Sequence, residues 1–312
     1  MSVLLTPLTG ISIMVVKLGV IGLSPGNGHP YSWSAIINGY DPVFMKDCGF
    51  PVIPEYLAKQ SFPEDSISNA EVTHIWTEDL NLSKNIAKTT NIAYVAENLT
   101  DMIGAVDAIL LARDDSENHA IYALPFLNAG IPIYIDKPLA CSVEGARDLF
   151  SHQKYNGQIF TGSALKYAHE MQLSLKELDK IGKIHLIKAV VPKDWRKYSI
   201  HVIDPIVQLP IDKGSILWSA ASKAGCINNL TVGYSSNMVV SIDSVGDVLA
   251  PIKISVYGAK GHRDLVFLDT FSAFKSALQL FVNNVSSKKY AEITESVLES
   301  VSLIELGVLD DC

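Results

Sequence analysis

At 312 residues with 48% of them apolar, the chain is long enough for two domains and a substantial core. Its net charge of −8 argues against nucleic acid and against an anionic membrane surface as partners. The four cysteines, Cys48, Cys141, Cys226 and Cys312, lie far apart without metal-ligand spacing, so free thiols in a cytoplasmic, reducing compartment are expected, and no metal site.

Met1 to Val16 is apolar but has no basic start and no small-residue cleavage site, and it is shorter than the roughly 20 residues that span a bilayer, so Met1 to Thr9 reads as a tail. Val15 to Gly22 reads as a buried strand, Ser24 to Gly28 as a turn, and Pro30 to Asn38 as a helix with proline in its first turn. Gly39 to Glu71 is irregular, with four prolines and a short helix expected near Tyr56 to Gln60. Strands are predicted at Val72 to Trp76, Ile92 to Ala96, Val106 to Ala112 and Ile131 to Ile135. Helices are predicted between them at Leu82 to Thr89 and His119 to Ala129, the latter closed by Gly130, with another following at Ser142 to Lys154. This alternation implies βαβ units and a parallel sheet. Beyond it, alternating runs at Ile184 to Val191, Ser215 to Ala221, Asn229 to Ser235, Met238 to Asp243 and Ile252 to Tyr257 predict an antiparallel sheet. Helices near Phe271 to Val285 and Glu292 to Leu309 close the chain. The expected division is an α/β dinucleotide-binding domain at 10–142 and an α+β domain at 143–312.

A dinucleotide fingerprint places G-x-G-x-x-G between a strand and a helix. Gly22 fits its first position, Ser24 replaces the second glycine, and Gly26, Asn27 and Gly28 complete a turn whose backbone amides suit a phosphate. At the end of the second strand Thr77, Glu78 and Asp79 are candidates for the ribose hydroxyls. No arginine adjoins them in sequence, which favours NAD over NADP. Arg113 and His119, after the next strand, are further cofactor candidates.

The run Ile131 to Ala140 carries the most chemical information. An apolar strand ends in Asp136-Lys137-Pro138, which sets a cation at the carboxyl edge of the sheet, where ligands of open α/β sheets bind. Lys137 is positioned to touch the nicotinamide and to stabilise a developing alkoxide. Lys166 follows another apolar run. Trp195 and Lys197 lie in a segment, Pro192 to Tyr198, whose cations and aromatic rings suit an anionic sugar. His29 and Tyr31 stand where the first helix meets the cofactor turn and are candidate substrate contacts, with the 39–71 segment as a lid.

These residues resemble the glucose–fructose oxidoreductase, inositol dehydrogenase and rhizopine-catabolism family, Gfo/Idh/MocA. The resemblance rests on Asp107 to Ala112, Asn118-His119, Leu127 to Gly130 and Asp136 to Ala140, where Asp136 replaces the family's glutamate. Ile181 to Ile184 and Tyr257 to Gly261 resemble the family's run into its second domain and a late strand-turn. The resemblance implies a Rossmann domain followed by an open-faced antiparallel sheet that makes homodimers or homotetramers. It also implies NAD(P)-dependent chemistry on a sugar, sugar acid, nucleotide sugar or polyol. His201-Val202-Ile203-Asp204 resembles the end of the family's second-domain motif, which makes His201 an acid/base candidate beside Lys137 and Asp204 its partner or a substrate contact. Where the family has an aspartate four residues before the histidine, this chain has Lys197. That departure and Ser24 leave a second reading, a ligand- or cofactor-sensing regulatory protein without catalysis on the same scaffold.

Overall fold

The structure, a computed structural model, describes residues 15–309, so the tail expected at Met1 to Thr9 lies outside it. The first sheet is built from β1 (Val16–Ile21), β2 (Ala70–Trp76), β3 (Tyr94–Val95), β4 (Ala108–Leu111), β5 (Ile133–Ile135) and β6 (Ile159–Thr161). All its pairings are parallel, in the order β3-β2-β1-β4-β5-β6, and the order of strands along the sheet reverses between β1 and β4. Such an order opens a crevice at the carboxyl ends of β1 and β4.

Helices α1 (His29–Asn38), α2 (Pro42–Met45), α3 (Val52–Leu57), α4 (Leu80–Thr89), α5 (His119–Ala129) and α6 (Val143–Ser151) join these strands. A Cβ on Gly22 would lie 2.2 Å from Pro30 Cγ, so β1 turns this tightly into α1 only with glycine there. Gly130 ends α5 in the left-handed region at φ +77°, as predicted. The 39–71 segment carries two short helices, α2 and α3; α2 opens on Pro42, and a proline also stands immediately before α3, at Pro51. The expected domain boundary at 142 falls too early, because α6 and β6 extend the first sheet to residue 161.

The second sheet contains β7 (Ile184–Val191), β8 (Ile216–Ala224), β9 (Ile227–Tyr234), β10 (Val239–Ser244), β11 (Lys253–Gly258) and β12 (Gly261–Val266), in the order β12-β11-β7-β10-β9-β8. It is antiparallel except where β10 runs parallel to β7. Helix α7 (Leu175–Ile181) leads into β7, and α8 (Trp195–Tyr198) and α9 (Ile200–Gln208) follow it. The closing helices α10 (Thr270–Ser287) and α11 (Thr294–Leu306) return to the first sheet. Phe281 of α10 packs with Tyr134 of β5 and Phe160 of β6 at ring distances of 5.7 Å, while Val297, Leu298 and Val301 of α11 join the core beneath α5 and α6. Both domains therefore share one buried apolar interior on the α1 side.

Candidate active site

At the end of β5 the buried strand delivers Asp136 and Lys137, both themselves buried. The Asp136 carboxylate accepts the Lys137 amide and the Asn27 side-chain amide, each at 2.8 Å, and lies 2.5 Å from His29 Nδ1. Burial alone would raise its pKa. The charge of His29 with its hydrogen bond, Lys137 and Asn27 outweigh that and bring it to about 2. The His29 ring is held between Trp33, stacked at 5.0 Å, and the edge of Phe274.

Asp114, just beyond β4, forms the second knot. Its carboxylate accepts the Ser24 hydroxyl at 2.8 Å, and its amide donates back to Ser24 Oγ at 3.1 Å. Lys137 Nζ lies 3.7 Å from one oxygen and Lys197 Nζ 3.3 Å from the other. Ser24, which replaces a fingerprint glycine, thus ties the cofactor turn to an anion shared by two lysines from different domains.

The facing wall comes from the second domain. His201 Nδ1 is 2.8 Å from Ser163 Oγ, and the Ser163 amide donates to Asp204 Oδ2 at 2.6 Å. Asp204 also lies 3.7 Å from Lys166. The Tyr198 ring meets His201 edge-on at 5.3 Å. Desolvation, reinforced by Lys137, holds the His201 pKa well below its ordinary value, so the imidazole is neutral at physiological pH. Ser163 can donate to or accept from Nδ1, which lets the other ring nitrogen serve as base or acid. His29, Lys137, Tyr198, Lys193 and His201 line one cavity of about 330 Å³. Phe50, Val52, Ile53 and Tyr56 of the 39–71 segment give it an apolar wall. A neighbouring cavity of about 670 Å³ shares Asp114 and is lined by Pro138, Cys141 and Lys197.

Several residues singled out in the sequence are engaged elsewhere. Trp195 is buried, donates to Ile304 O at 2.9 Å and packs on Gly307, away from the Lys137 cavity. Tyr31 is buried and donates to Asn85 at 2.6 Å. Lys166 is buried against Asp204 and Thr161 O, and Asp204 reaches His201 only through Ser163. His119 is fully buried, its ring nitrogens 3.0 Å from Leu139 O and 2.8 Å from Arg113 O. Thr77 bonds Ser83 and Asp79 O, and Asp79 caps α4. Amphipathic residues have two destinies, core or cleft, and sequence pattern does not separate them. The structure adds Lys193, Tyr198 and Ser163 to the site. The first two lie in the cation-rich segment the sequence flags; no signal marks Ser163.

Glu78 is the exposed carboxylate at the end of β2. It accepts a hydrogen bond from Tyr122 and faces Arg113 at 3.4 Å. An arginine therefore does adjoin this position, contrary to the expectation from sequence, because the ends of β2 and β4 converge. Its guanidinium is buried and gripped at two points by Asp115, at 3.0 and 2.6 Å. The turn fits a dinucleotide at Gly26, which has φ +81° and open space where a Cβ would stand, so a phosphate can approach its backbone. Glu78 fits the ribose hydroxyls. Among the described residues no cluster suited to a metal ion occurs, and no helix is long and apolar enough to cross a membrane.

Residues 56–163 match the family model described as the oxidoreductase family, NAD-binding Rossmann fold (GFO_IDH_MocA). A search of curated proteins finds no match. Among solved structures the chain is similar to apo scyllo-inositol dehydrogenase from Lactobacillus casei, at 15% identity, TM-score 0.72, covering 95% of this chain and 96% of that one. It is similar to myo-inositol dehydrogenase from Lactobacillus casei in complex with NAD(H) and myo-inositol, at 16% identity, TM-score 0.71 and 94% of each chain. It is also similar to biliverdin reductase from Synechocystis in complex with biliverdin and NADP+, at 12% identity, TM-score 0.67, covering 93% of this chain and 97% of that one. At these identities the likeness establishes the fold, and ligands as different as myo-inositol and biliverdin leave the substrate open.

Proposed function

From a chain that carries the NAD-binding Rossmann fold of the Gfo/Idh/MocA oxidoreductase family, we propose an NAD-dependent oxidoreductase that acts on a CH–OH group of a carbohydrate-like or polyol substrate, with Lys137 and His201 at the reacting C–O bond. The observation that carries this reading is their convergence. Lys137 from the edge of the first sheet and His201 from the second domain line a single cavity. NAD supplies the hydride acceptor or donor when bound. Gly26 and its neighbours would hold the phosphates and Glu78 the ribose.

His201, neutral and backed by Ser163, takes the hydroxyl proton on oxidation or returns it on reduction. Lys137 donates a hydrogen bond to the same oxygen and offsets its charge as the bond order changes. Asp114 holds Lys137 without saturating it, since at 3.7 Å the pair leaves the ammonium hydrogens free to turn. Asp136 fixes the backbone at Lys137 through its amide. The Arg113–Asp115 grip leaves Glu78 as the anion at the ribose, which favours NAD over the 2′-phosphate of NADP.

NADH formation with a panel of inositols, aldoses, uronates and nucleotide sugars tests the reading. Turnover is expected with at least one class. Lys137→Ala and His201→Ala should each lower kcat by about 10²-fold or more while circular dichroism is unchanged. Calorimetry showing no NAD(H) binding would refute the oxidoreductase and leave the sensing protein without its cofactor as well. NADH binding without turnover on any class would favour the sensor.

A further inference from the structure

We propose that Lys193 and Tyr198 form an anion subsite of the Lys137–His201 cavity, so that the ligand is a carbohydrate bearing a carboxylate or phosphate group. The inference takes the cavity from the functional reading above but rests on three separate observations.

The first is backbone conformation. Lys193 sits at φ +63°, a left-handed conformation that residues with a Cβ avoid and that recurs where a side chain must be aimed. It is pinned there by a two-way bridge, Lys193 N–H to Gly246 O at 2.6 Å and Gly246 N–H to Lys193 O at 3.1 Å. The bridge lies just past β7 and sets the lysine, itself exposed, at the border of the cavity.

The second is charge. Lys137 and Lys197 share Asp114, Lys166 faces Asp204, and His29 faces Asp136. Lys193 has no carboxylate partner among the described residues. Its Nζ instead donates to Tyr198 OH at 2.5 Å and stands 4.5 Å from the centre of that ring. Lys137 Nζ stands 5.6 Å from the same ring. Two ammonium groups thus flank one tyrosine, three of the four lysines share two aspartates while Lys193 faces none, and an entering anion would relieve the excess.

The third is hydrogen-bond direction. Tyr198 OH accepts from Lys193 and keeps its own proton to donate. Lysine and tyrosine together offer an incoming oxyanion two donors, one of them charged. Across the cavity Phe50, Ile53 and Phe274 provide the apolar surface that a sugar ring covers.

The anion could come from the carbohydrate or from the cofactor's diphosphate, and the experiment separates them. D-glucuronate, glucose 1-phosphate, glucose and myo-inositol are titrated calorimetrically into wild type, Lys193→Gln and Tyr198→Phe, with and without saturating NADH. An anionic sugar should bind at least about tenfold tighter than glucose or myo-inositol, and added salt should weaken it. Lys193→Gln should erase the preference, Tyr198→Phe should reduce it, and NADH affinity should stay within about twofold in both. The carboxylate and phosphate arms identify the group. Equal or absent binding of all four probes overturns the proposal, as does a preference that survives both variants. NADH affinity that falls in place of sugar affinity overturns it too, assigning the lysine to the cofactor. NADH binding is read in the same titrations, so a cavity that binds NADH without anion preference fails this inference alone, whereas anion preference without NADH binding fails the oxidoreductase reading alone.

Discussion

Two residues set acid-side limits on the site. His201 is desolvated and faces Lys137, which keeps its imidazole neutral well below the usual range. A base with a lowered pKa loses function only when pH falls past that lower value. Oxidation should therefore show no acid-side inflection near 6.5 that belongs to His201, and kcat/KM profiles of wild type and His201→Gln would check it. An inflection near 6.5 in wild type that vanishes in the variant would contradict the desolvated histidine. Asp136 ionises at about 2 in the folded chain against 3.8 when free, because its polar partners outweigh its burial. A depressed carboxylate contributes stability above its unfolded pKa and loses it as pH falls toward the folded one. The contribution is about 2 kcal/mol at neutral pH. Urea denaturation between about pH 5 and pH 2 should show a steeper acid loss for wild type than for Asp136→Asn. Equal slopes would mean that Asp136 is not held this way.

At the level of elements, the turn between β1 and α1 does more than receive a phosphate. A Cβ on Gly28 would lie 2.6 Å from Ile53 Cδ1 and 2.7 Å from Phe50 Cγ, whereas one on Gly26 meets nothing within 4 Å. Gly28→Ala should thus push the 50–53 wall outward and cost about 1–3 kcal/mol in denaturation midpoints. Gly26→Ala should act mainly through its positive φ, at about 1 kcal/mol. A Gly28→Ala chain as stable as wild type would show the wall to be compliant. The same contrast marks what sequence makes legible. Apolar runs bounded by glycine and proline locate β1, β4, β5 and α5 to within two residues, because burial on both faces leaves no alternative pattern. β12 escapes this reading, since His262, Arg263 and Asp264 are exposed and carry no apolar period. Lys137 is visible because a strand end fixes its direction. Lys193 is visible only as part of its cation-rich segment and Ser163 not at all, because their place in the cavity depends on contacts with Gly246 and His201 that are far away in sequence.

For the whole molecule, the cavity needs both sheets of one chain, and α10, which follows the second sheet, packs back on the first through Phe281 against Tyr134 and Phe160. The opposite end of the second sheet is open. β8 is its edge strand and is exposed along nearly all its length, with Ile216, Leu217 and Trp218 among the exposed apolar residues and Trp218 lying over Gly233 of β9. A long apolar edge with unpaired backbone groups invites a second strand or sheet. A second copy of this chain is the partner proposed for it. Light scattering should accordingly give at least a dimer for wild type, and Leu217→Asp combined with Trp218→Asp should shift it toward monomer with circular dichroism retained. Because Lys137, Lys193 and His201 come from one chain, the dissociated variant should still bind NADH with wild-type affinity. A wild-type monomer, or a variant that assembles as before, would place any interface elsewhere. A monomer that loses NADH would mean that assembly holds the two domains at the separation the cavity requires.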